Sequence, residues 1–334
     1  MRPLHVVLAV LITAIWGVNF SVIKLGLTTV DPFILAGIRF SLCALPAIFF
    51  IRKPNVPWRY IIGYGLVFGI GLWGIVNLGI KAGLSAGIAS LVLQFSAFFT
   101  ILLGGWVFKE ALTRFQVLGI LIALGGLLCI ILISDGSVSL PGVLLVLLGA
   151  VSWSIANIIN KKASTKEVFA FLVWSSAFAP IPLFALDYAV NGSAGYTTFV
   201  SQVDTTAVLS ILFQVYPNTL FAYWIWNSLL KTYPVSTVAP LSLLVPIFGM
   251  LGSVLIFHES VPASKVLAVV LIVLGLAVGL YGQRIFNAIR TKYRAASPAQ
   301  SPPPPTDHPA SNAKHRNCVR NIDTLQGNKY GAFR

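Results

Sequence analysis

The sequence predicts an all-α integral membrane protein of ten transmembrane helices, arranged as two inverted five-helix repeats and followed by a disordered C-terminal tail. Composition and hydropathy support the membrane assignment. Of the 334 residues, 57% are hydrophobic and only 10% are charged, whereas roughly a quarter of the residues of a soluble domain are charged. Apolar stretches long enough to cross a ~30 Å hydrocarbon core recur at residues 4–27, 32–52, 58–80, 85–107, 115–133, 140–160, 168–188, 205–230, 235–257 and 264–286.

Turn-forming residues separate these stretches. Asp31-Pro32 precedes the second predicted span, and the linker before the third span, residues 53–57, contains two prolines. Asp135-Gly136 separates the fifth span from the sixth. Proline and glycine at such positions favour turns rather than continued helix. Three further prolines predict a local break in the ninth span, at Pro234, Pro240 and Pro246.

An internal repeat relates the two halves of the chain. The first span reads Trp-Gly-Val-Asn-Phe-Ser-Val-Ile-Lys from Trp16 to Lys24. The sixth span reads Trp-Ser-Ile-Ala-Asn-Ile-Ile-Asn-Lys from Trp153 to Lys161. The tryptophans and the lysines therefore occupy matching positions.

The ends of two other spans match in the same way. Phe108-Lys109-Glu110 ends the fourth span much as Phe257-His258-Glu259 ends the ninth. Residues 1–136 and 137–286 then form two repeats of five spans each. An odd number of crossings per repeat gives the two repeats opposite orientations in the membrane, which is typical of transporters that work by alternating access.

Charge predicts the orientation of the chain and a separate tail. Positively charged loops stay on the cytoplasmic side. With a cytoplasmic N-terminus, the inner loops carry nine basic residues, Arg52, Lys53, Arg59, Lys109, Arg114, Lys161, Lys162, Lys166 and Lys231. The outer loops carry three, Lys24, Lys81 and Lys265. The sequence thus predicts a multi-pass inner-membrane protein with both termini in the cytoplasm and a basic, proline-containing tail over residues 287–334.

The acidic residues and histidines argue against an enzyme. All nine Asp and Glu residues and all four His residues lie in loops, at span ends or in the tail. Acid–base catalysis and metal binding need such groups to converge in one pocket, so we expect no metal and no cofactor. The same distribution argues against a carboxylate proton relay inside the membrane. The net charge of +14 predicts contact with anionic lipids and not with nucleic acid.

Two basic residues are candidates for substrate recognition. Arg39 lies about two turns inside the second span, ~10 Å from its end, where a charge is costly and usually faces a partner or a cavity. It could bind a substrate carboxylate, or it could be a structural arginine that caps backbone carbonyls. Lys24, at the outer end of the first span, is either a snorkelling anchor or a second attraction for a carboxylate.

Polar and aromatic residues inside the spans are further candidates for a substrate cavity. Without water, an amide must bond to another helix or to a solute, so each of them could equally hold helices together. The candidate substrate-binding residues, besides Lys24 and Arg39, are Trp16, Asn19, Gln94, Trp153, Asn157 and Ser242.

These features resemble those of the EamA-type drug/metabolite transporter family. The resemblance covers residues ~4–284 and rests on the five-plus-five arrangement, Trp-Gly-x-Asn-Phe after Trp16, Ala-Gly-Ile-Arg-Phe around Arg39, and the glutamates that follow the fourth and ninth spans. Stretches 89–94, 97–100 and 239–246 resemble the branch that exports O-acetylserine and cysteine. The resemblance implies a basket of ten helices around a central cavity and efflux of amino-acid metabolites. One departure is the glycine-rich stretch 69–77 with Trp73, which does not match that branch.

Three functions remain open at the level of the sequence. The first is export of small amino acids or their metabolites by alternating access. Efflux of drugs is an alternative that the tryptophans favour and the missing intramembrane carboxylate disfavours. A membrane sensor or scaffold that uses the basic tail for docking is a third. Glycine pairs four residues apart, such as Gly65/Gly69, favour close internal helix packing and are weaker evidence for a homodimer.

Overall fold

The structure is a computed structural model that describes residues 1–109 and 111–296, with residues 235, 236 and 290–296 described by their backbone only. Over this part of the chain, ten helices are long and apolar enough to cross a membrane, which confirms the predicted fold class. The ten spans are Pro3–Gly26, Pro32–Phe49, Trp58–Lys81, Ala86–Phe108, Arg114–Ile131, Leu140–Ala163, Val168–Asn191, Thr205–Thr232, Ala239–Phe257 and Ala263–Ile289.

Successive spans run in opposite directions, so their linkers gather at two ends of the bundle. At the Met1 end, His5 Nδ1 lies 2.7 Å from the hydroxyl of Tyr233. At the other end, which we call the Lys24 end, the backbone N–H of Ser85 donates to the carbonyl of Ser137. The short helix Ala194–Gln202 connects the seventh and eighth spans at the Lys24 end. Residues Met1–Ile289 form one compact unit, so the two predicted repeats do not separate into independent bodies.

The last helix extends beyond its predicted end. It runs over Ala263–Ala296, so helix continues for ten residues past the predicted start of the tail at residue 287. No proline or glycine interrupts residues 287–296, so the sequence there permits a helix. The rest of the predicted tail, residues 297–334, and the predicted counterpart of Glu259, Glu110, lie outside the described residues.

The fourth and ninth spans are interrupted. The fourth changes direction at Leu93 and Gln94, between the helices Ala86–Val92 and Phe95–Phe108. The ninth begins as a 3₁₀ helix, Ala239–Leu244, before the α-helix Val245–Phe257. A proline ring removes a backbone donor and clashes with the preceding turn, which accounts for the predicted break in the ninth span.

The third and eighth spans each contain a π-helical segment, which the sequence did not predict. These segments are Val67–Gly74 and Gln214–Phe221. Pro217 lies inside the second segment and cannot donate to an α-helical ladder. The first segment is rich in glycine, and it coincides with the stretch that departs from the family pattern. π-Helical turns are rare and are frequent at functional sites.

Glycines allow the spans to approach closely. A Cβ atom added at Gly69 would collide with the Cβ of Ala179 in the seventh span, and one at Gly275 would lie 2.6 Å from the carbonyl oxygen of Gly119 in the fifth. Since no real side chain tolerates such distances, glycine is required at these contacts. The glycine pairs of the sequence therefore serve packing within the bundle.

Candidate functional site

Arg39 is a buried charged residue inside the second span, and it is surrounded by other spans. Its side chain is 1% exposed, and its Nη2 donates a 2.9 Å hydrogen bond to Oγ1 of Thr219 in the eighth span. Among the described residues Arg39 forms no ion pair. A buried cation without a counter-charge is costly, so this arrangement is unusual for a residue that only supports the fold.

Several hydrogen-bond donors around Arg39 are unused. Its Nε and Nη1 atoms have no partner, and neither has the indole Nε1 of Trp73. The guanidinium carbon lies 4.2 Å from the centre of the Trp73 ring, so the two groups are stacked. Stacking on an indole stabilises a cation and leaves the in-plane N–H groups of the guanidinium free. These groups are suited to an anion, and a carboxylate matches the guanidinium fork best.

The two π-helical segments border this site on opposite sides. Trp73 belongs to the segment in the third span, and Thr219 to the one in the eighth. The Thr219 hydroxyl, besides accepting from Arg39, donates to the carbonyl of Gln214 five residues earlier. Gln214 itself is fully buried and its Oε1 has no partner. The site therefore offers unused donors near Arg39 and an unused acceptor one turn away on the eighth span.

Trp16, on the first span, contacts the same segment of the eighth span. The indole N–H of Trp16 donates to the carbonyl of Asn218, and its ring contacts Tyr223 and Trp226 at centroid distances of 5.4 and 5.1 Å. Asn19 is fully buried, and both polar atoms of its amide lack partners. Trp16 and Arg39, two predicted site residues, are thus joined through Asn218 and Thr219.

Lys24 lies apart from Arg39, in a polar pocket at the Lys24 end. Its Nζ pairs with Oε1 of Glu259 at 2.9 Å and lies 4.2 Å from the centre of the Phe257 ring. The pocket has a volume of about 300 Å³, and a second ion pair, Lys265–Asp135, lies in its wall at 2.8 Å. Lys24 therefore has a counter-ion of the protein's own, whereas Arg39 has none.

Both carboxylates of this pocket are held in their charged form. Burial tends to raise the pKa of Asp135, but hydrogen bonds from Lys265 and Ser137 outweigh it and lower the pKa to about 2. Burial also opposes ionisation of Glu259, and the hydrogen bond and charge of Lys24 lower its pKa below the ordinary value. Both ion pairs are therefore intact at neutral pH.

The remaining predicted site residues lie elsewhere. The Nδ2 of Asn157 donates to Oγ1 of Thr100, which joins the sixth span to the fourth. Ser242 donates to the carbonyl of Ala239 in its own 3₁₀ helix. Gln94 lies half-buried at the break in the fourth span, and Trp153 packs half-buried against the core. None of these four residues forms an observed bond with Arg39, Trp73 or Thr219, so their roles in substrate binding stay predictions.

Three residues in the spans are not indicated as site residues by the sequence. Trp73 stands out there only as a departure from the family pattern, and Thr219 carries no signal except its place two residues after Pro217. Asp187, at the end of the seventh span, is fully buried, and its Oδ2 has no hydrogen-bond partner. Because Asp187 lies near a span end, the sequence does not indicate that the fold buries its carboxylate.

Over the part of the chain that the structure describes, ten antiparallel apolar helices enclose a buried arginine that forms no ion pair there, which is typical of a polytopic membrane transporter. A family comparison agrees with this class, since the model of the EamA-like transporter family matches residues 4–132 and 140–281. The chain belongs to the EamA-like transporter family.

Curated relatives extend the comparison. The chain is 39% identical over 292 residues to a probable amino-acid metabolite efflux pump of Escherichia coli K12, covering 85% of this chain and 97% of the relative. It is 38% identical over 289 residues to a protein of the same description from Salmonella typhimurium LT2, with the same coverage. A solved crystal structure with 19% identity aligns with a TM-score of 0.55 over 85% of this chain and 100% of that one, which supports the fold alone.

Proposed function

We propose that this protein exports small amino acids or their metabolites across the bacterial inner membrane by alternating access of two inverted repeats. Relatives described as probable amino-acid metabolite efflux pumps support the substrate class. Compounds resembling O-acetylserine and cysteine are the substrates we expect, because each carries an α-carboxylate and an α-ammonium group on a small side chain.

The observation that carries this proposal is the unpaired guanidinium of Arg39. Its Nε and Nη1 atoms have no partner although the side chain is 1% exposed. A substrate carboxylate would supply the missing negative charge and accept these hydrogen bonds. The unpartnered Oε1 of Gln214 would accept a hydrogen bond from the ammonium group of the same substrate.

The orientation that we propose assigns the two ends of the bundle to the two sides of the membrane. Basic residues are concentrated at the Met1 end, which therefore faces the cytoplasm by the positive-inside rule. The Lys24 end then faces outward. In this orientation a substrate enters from the Met1 end, binds near Arg39, and leaves at the Lys24 end.

Drug efflux is a second candidate because of one cluster. The centre of the Trp16 ring lies 5.4 Å from that of Tyr223 and 5.1 Å from that of Trp226, next to the π-helical segment of the eighth span. Aromatic walls of this kind suit planar or cationic compounds. A nearby cation such as Arg39 disfavours cationic drugs, so amino-acid metabolites remain the preferred substrates.

Export from cells tests the proposal directly. Bacterial cells that overproduce the protein should accumulate cysteine and O-acetylserine in the medium above the level of cells without it. Arg39→Lys, which keeps the charge but loses the planar fork, should reduce this export, and Arg39→Ala should abolish it.

Arg59→Ala is a matched control, because Arg59 is an exposed arginine outside the site. Membrane levels of each variant are measured by immunoblotting. Equal export by Arg39→Ala and the wild type would rule out the carboxylate role. If neither compound is exported by the wild type, the substrate assignment is wrong and a panel of other amino acids and drugs is tested.

A further inference from the structure

The first and ninth spans meet along a seam that leads from the middle of the bundle to the pocket at the Lys24 end. We call this contact the 1–9 seam and define it by Gly17, Ser21 and Lys24 on the first span and Gly252, Ser253, Phe257 and Glu259 on or after the ninth. Gly17, Ser21 and Lys24 are spaced by four and three residues, so they lie on one face of the first helix.

Small residues keep the seam closed to solutes. A Cβ atom at Gly17 would lie 2.5 Å from the carbonyl oxygen of Val245 and 2.7 Å from the backbone nitrogen of Gly249. A Cβ atom at Gly252 would lie 3.2 Å from Oγ of Ser21. The two backbones are therefore in direct contact, and nothing can pass between them in this conformation.

The seam is nevertheless lined with buried hydroxyls that form no well-directed hydrogen bond with the described residues. Ser21 and Ser253 are both fully buried, and the hydroxyl of Ser21 has no partner. The hydroxyl of Ser253 lies close enough to the Glu259 carboxylate to help lower its pKa, but it does not meet the geometry of a hydrogen bond. Buried serines in helices normally donate to the carbonyl of the preceding turn, as Ser176 does to Leu172 in the seventh span. Two unpartnered hydroxyls on facing helices would gain hydrogen bonds as soon as water or a polar solute entered the seam.

The Lys24–Glu259 pair closes the outer end of the seam. It lies about one turn beyond Ser21, and its side chains are 33% and 14% exposed. A partly exposed ion pair contributes little net stability, so it can open and close readily. The second ion pair of the pocket differs, because Lys265 is 1% exposed and also donates to the carbonyl of Ser260.

The sequence repeat supports a role in transport rather than a local one. Lys161, which matches Lys24, lies 4.0 Å from the centre of the ring of Phe108, which matches Phe257. The helices that carry these phenylalanines both end in a left-handed residue, Lys109 and His258. The same lysine–phenylalanine contact thus occurs once at each end of the bundle.

We propose that the 1–9 seam is the exit pathway for a small zwitterionic solute, lined by Ser21 and Ser253 and closed by the Lys24–Glu259 pair. This inference rests on the proposed export of amino-acid metabolites. When the first and ninth spans separate, Lys24 attracts the carboxylate of the leaving solute and Glu259 its ammonium group. Re-formation of the ion pair closes the pathway behind it.

A reversible cross-link across the seam tests this inference. The 3.2 Å separation of Ser21 Oγ from a Cβ at position 252 suits a disulfide, in which Sγ of one cysteine lies about 3 Å from Cβ of the other because the S–S bond is about 2.05 Å long. Ser21→Cys/Gly252→Cys is made in a protein whose Cys43, Cys129 and Cys318 are replaced by alanine. Oxidation should reduce export to the level of cells without the protein, and dithiothreitol should restore it. The two single-cysteine variants are controls: whatever their basal export, oxidation and dithiothreitol should leave it unchanged.

A second measurement does not depend on knowing the substrate. Ser253→Cys, in the same cysteine-free protein, is exposed to a membrane-impermeant maleimide added outside the cells. Lys24→Met should increase its labelling rate by up to about fivefold, in keeping with the small contribution of a partly exposed ion pair. Lys265→Met is the matched control, because it removes an ammonium group from the same pocket without touching the seam, and it should leave the rate unchanged.

The outcomes separate this inference from the proposed function. A bridged protein that exports as well as the reduced one would overturn the seam as the exit pathway. The seam would also be overturned as the exit pathway if Ser253→Cys is not labelled, or if its labelling rate is the same with and without Lys24. If the reduced protein exports neither cysteine nor O-acetylserine, yet labelling responds to Lys24→Met alone, the substrate assignment fails and the pathway stands.

Discussion

The two ends of the bundle use matching residues of the sequence repeat to make different contacts. At the Lys24 end, Gly17 of the 1–9 seam touches the backbone of the ninth span near Val245. Its counterpart in the repeat is Ser154 of the sixth span, whose hydroxyl lies 2.9 Å from the carbonyl of Ser96 in the fourth span and 2.8 Å from that of Ala150. The contact at Gly17 is thus made by closely packed backbone, whereas the contact at Ser154 is made by a hydrogen bond.

The contact of the fourth and sixth spans, which we call the 4–6 seam, is held by hydrogen bonds. It comprises Ser96, Thr100 and Phe108 on the fourth span and Ser154, Asn157 and Lys161 on the sixth. Asn157 donates to Thr100, and Thr100 donates to the carbonyl of Ser96. In the 1–9 seam, by contrast, the buried hydroxyls of Ser21 and Ser253 form no well-directed hydrogen bond with the described residues.

This difference indicates which seam is easier to open. Separating the 4–6 seam breaks hydrogen bonds between helices, whereas separating the 1–9 seam exposes hydroxyls that gain partners in water. Of these two seams, the 1–9 seam is therefore the one that loses fewer hydrogen bonds on opening, since the Lys24–Glu259 pair at its outer end is partly exposed. For an exporter with the Lys24 end outside, the next step of the cycle is release of the solute outward.

The largest expected effect comes from filling the glycine contact of the 1–9 seam. Gly17→Leu places a side chain where a Cβ already lies 2.5 Å from a backbone oxygen. Because backbone cannot yield as a flexible side chain can, we expect a loss of about 3 kcal/mol in the free energy of unfolding. Unfolding of the purified protein in detergent, followed by circular dichroism, measures this loss.

Gly104→Leu is the matched control for this prediction. Gly104 lies in the fourth span, and a Cβ atom there would meet nothing within 4 Å. The substitution should leave stability almost unchanged. A loss of similar size in both variants would mean that glycine is needed for helix dynamics in general and not for the contact at Gly17.

Hydropathy and charge predict the spans and part of the site, but not its contacts. The ten spans follow from apolar runs, because a helix must cover the hydrocarbon core whatever it packs against. Arg39 stands out for the same reason, since a charge inside such a run needs an explanation. The bond from Arg39 to Thr219 joins residues 180 positions apart, and the Lys24–Glu259 pair joins residues 235 apart. Distances of this kind depend on how helices pack, which local pattern does not encode.

The π-helical segments are a further limit of sequence reasoning. Glycines at Gly69, Gly71 and Gly74 predict close helix contacts, and Pro217 predicts a disturbed helix. Neither signal distinguishes a kink from a π-helical turn. The segments place Trp73 and Thr219 beside Arg39, so the part of the site that the sequence missed is the part that depends on irregular backbone.

The second prediction concerns the hydroxyls of the two seams, and its two effects have opposite signs. Ser154→Ala removes a bonded hydroxyl and should lower the free energy of unfolding by about 1 kcal/mol. Ser253→Ala removes an unpartnered hydroxyl and should leave that free energy unchanged or raise it by a similar amount. Equilibrium unfolding of the two variants beside the wild type measures both. Equal losses in the two would show that Ser253 has a partner in the membrane, and the contrast between the seams would disappear.

The smallest expected effect is a pH dependence confined to the Lys24 end. The pKa of Glu259 is lowered in the folded protein, so its ion pair with Lys24 contributes fully above pH 4.5, the ordinary value, and is lost as the pH falls through the lowered one. The Lys265–Asp135 pair persists further, because the pKa of Asp135 is about 2. Outside labelling of Ser253→Cys, normalised to the exposed Ser260→Cys because the reagent itself depends on pH, should therefore rise modestly as the pH is lowered from 6 to well below 4.5. The rise should be absent in Lys24→Met, where no pair remains to be broken, and a rise that survives this substitution would assign the response to a group other than Glu259.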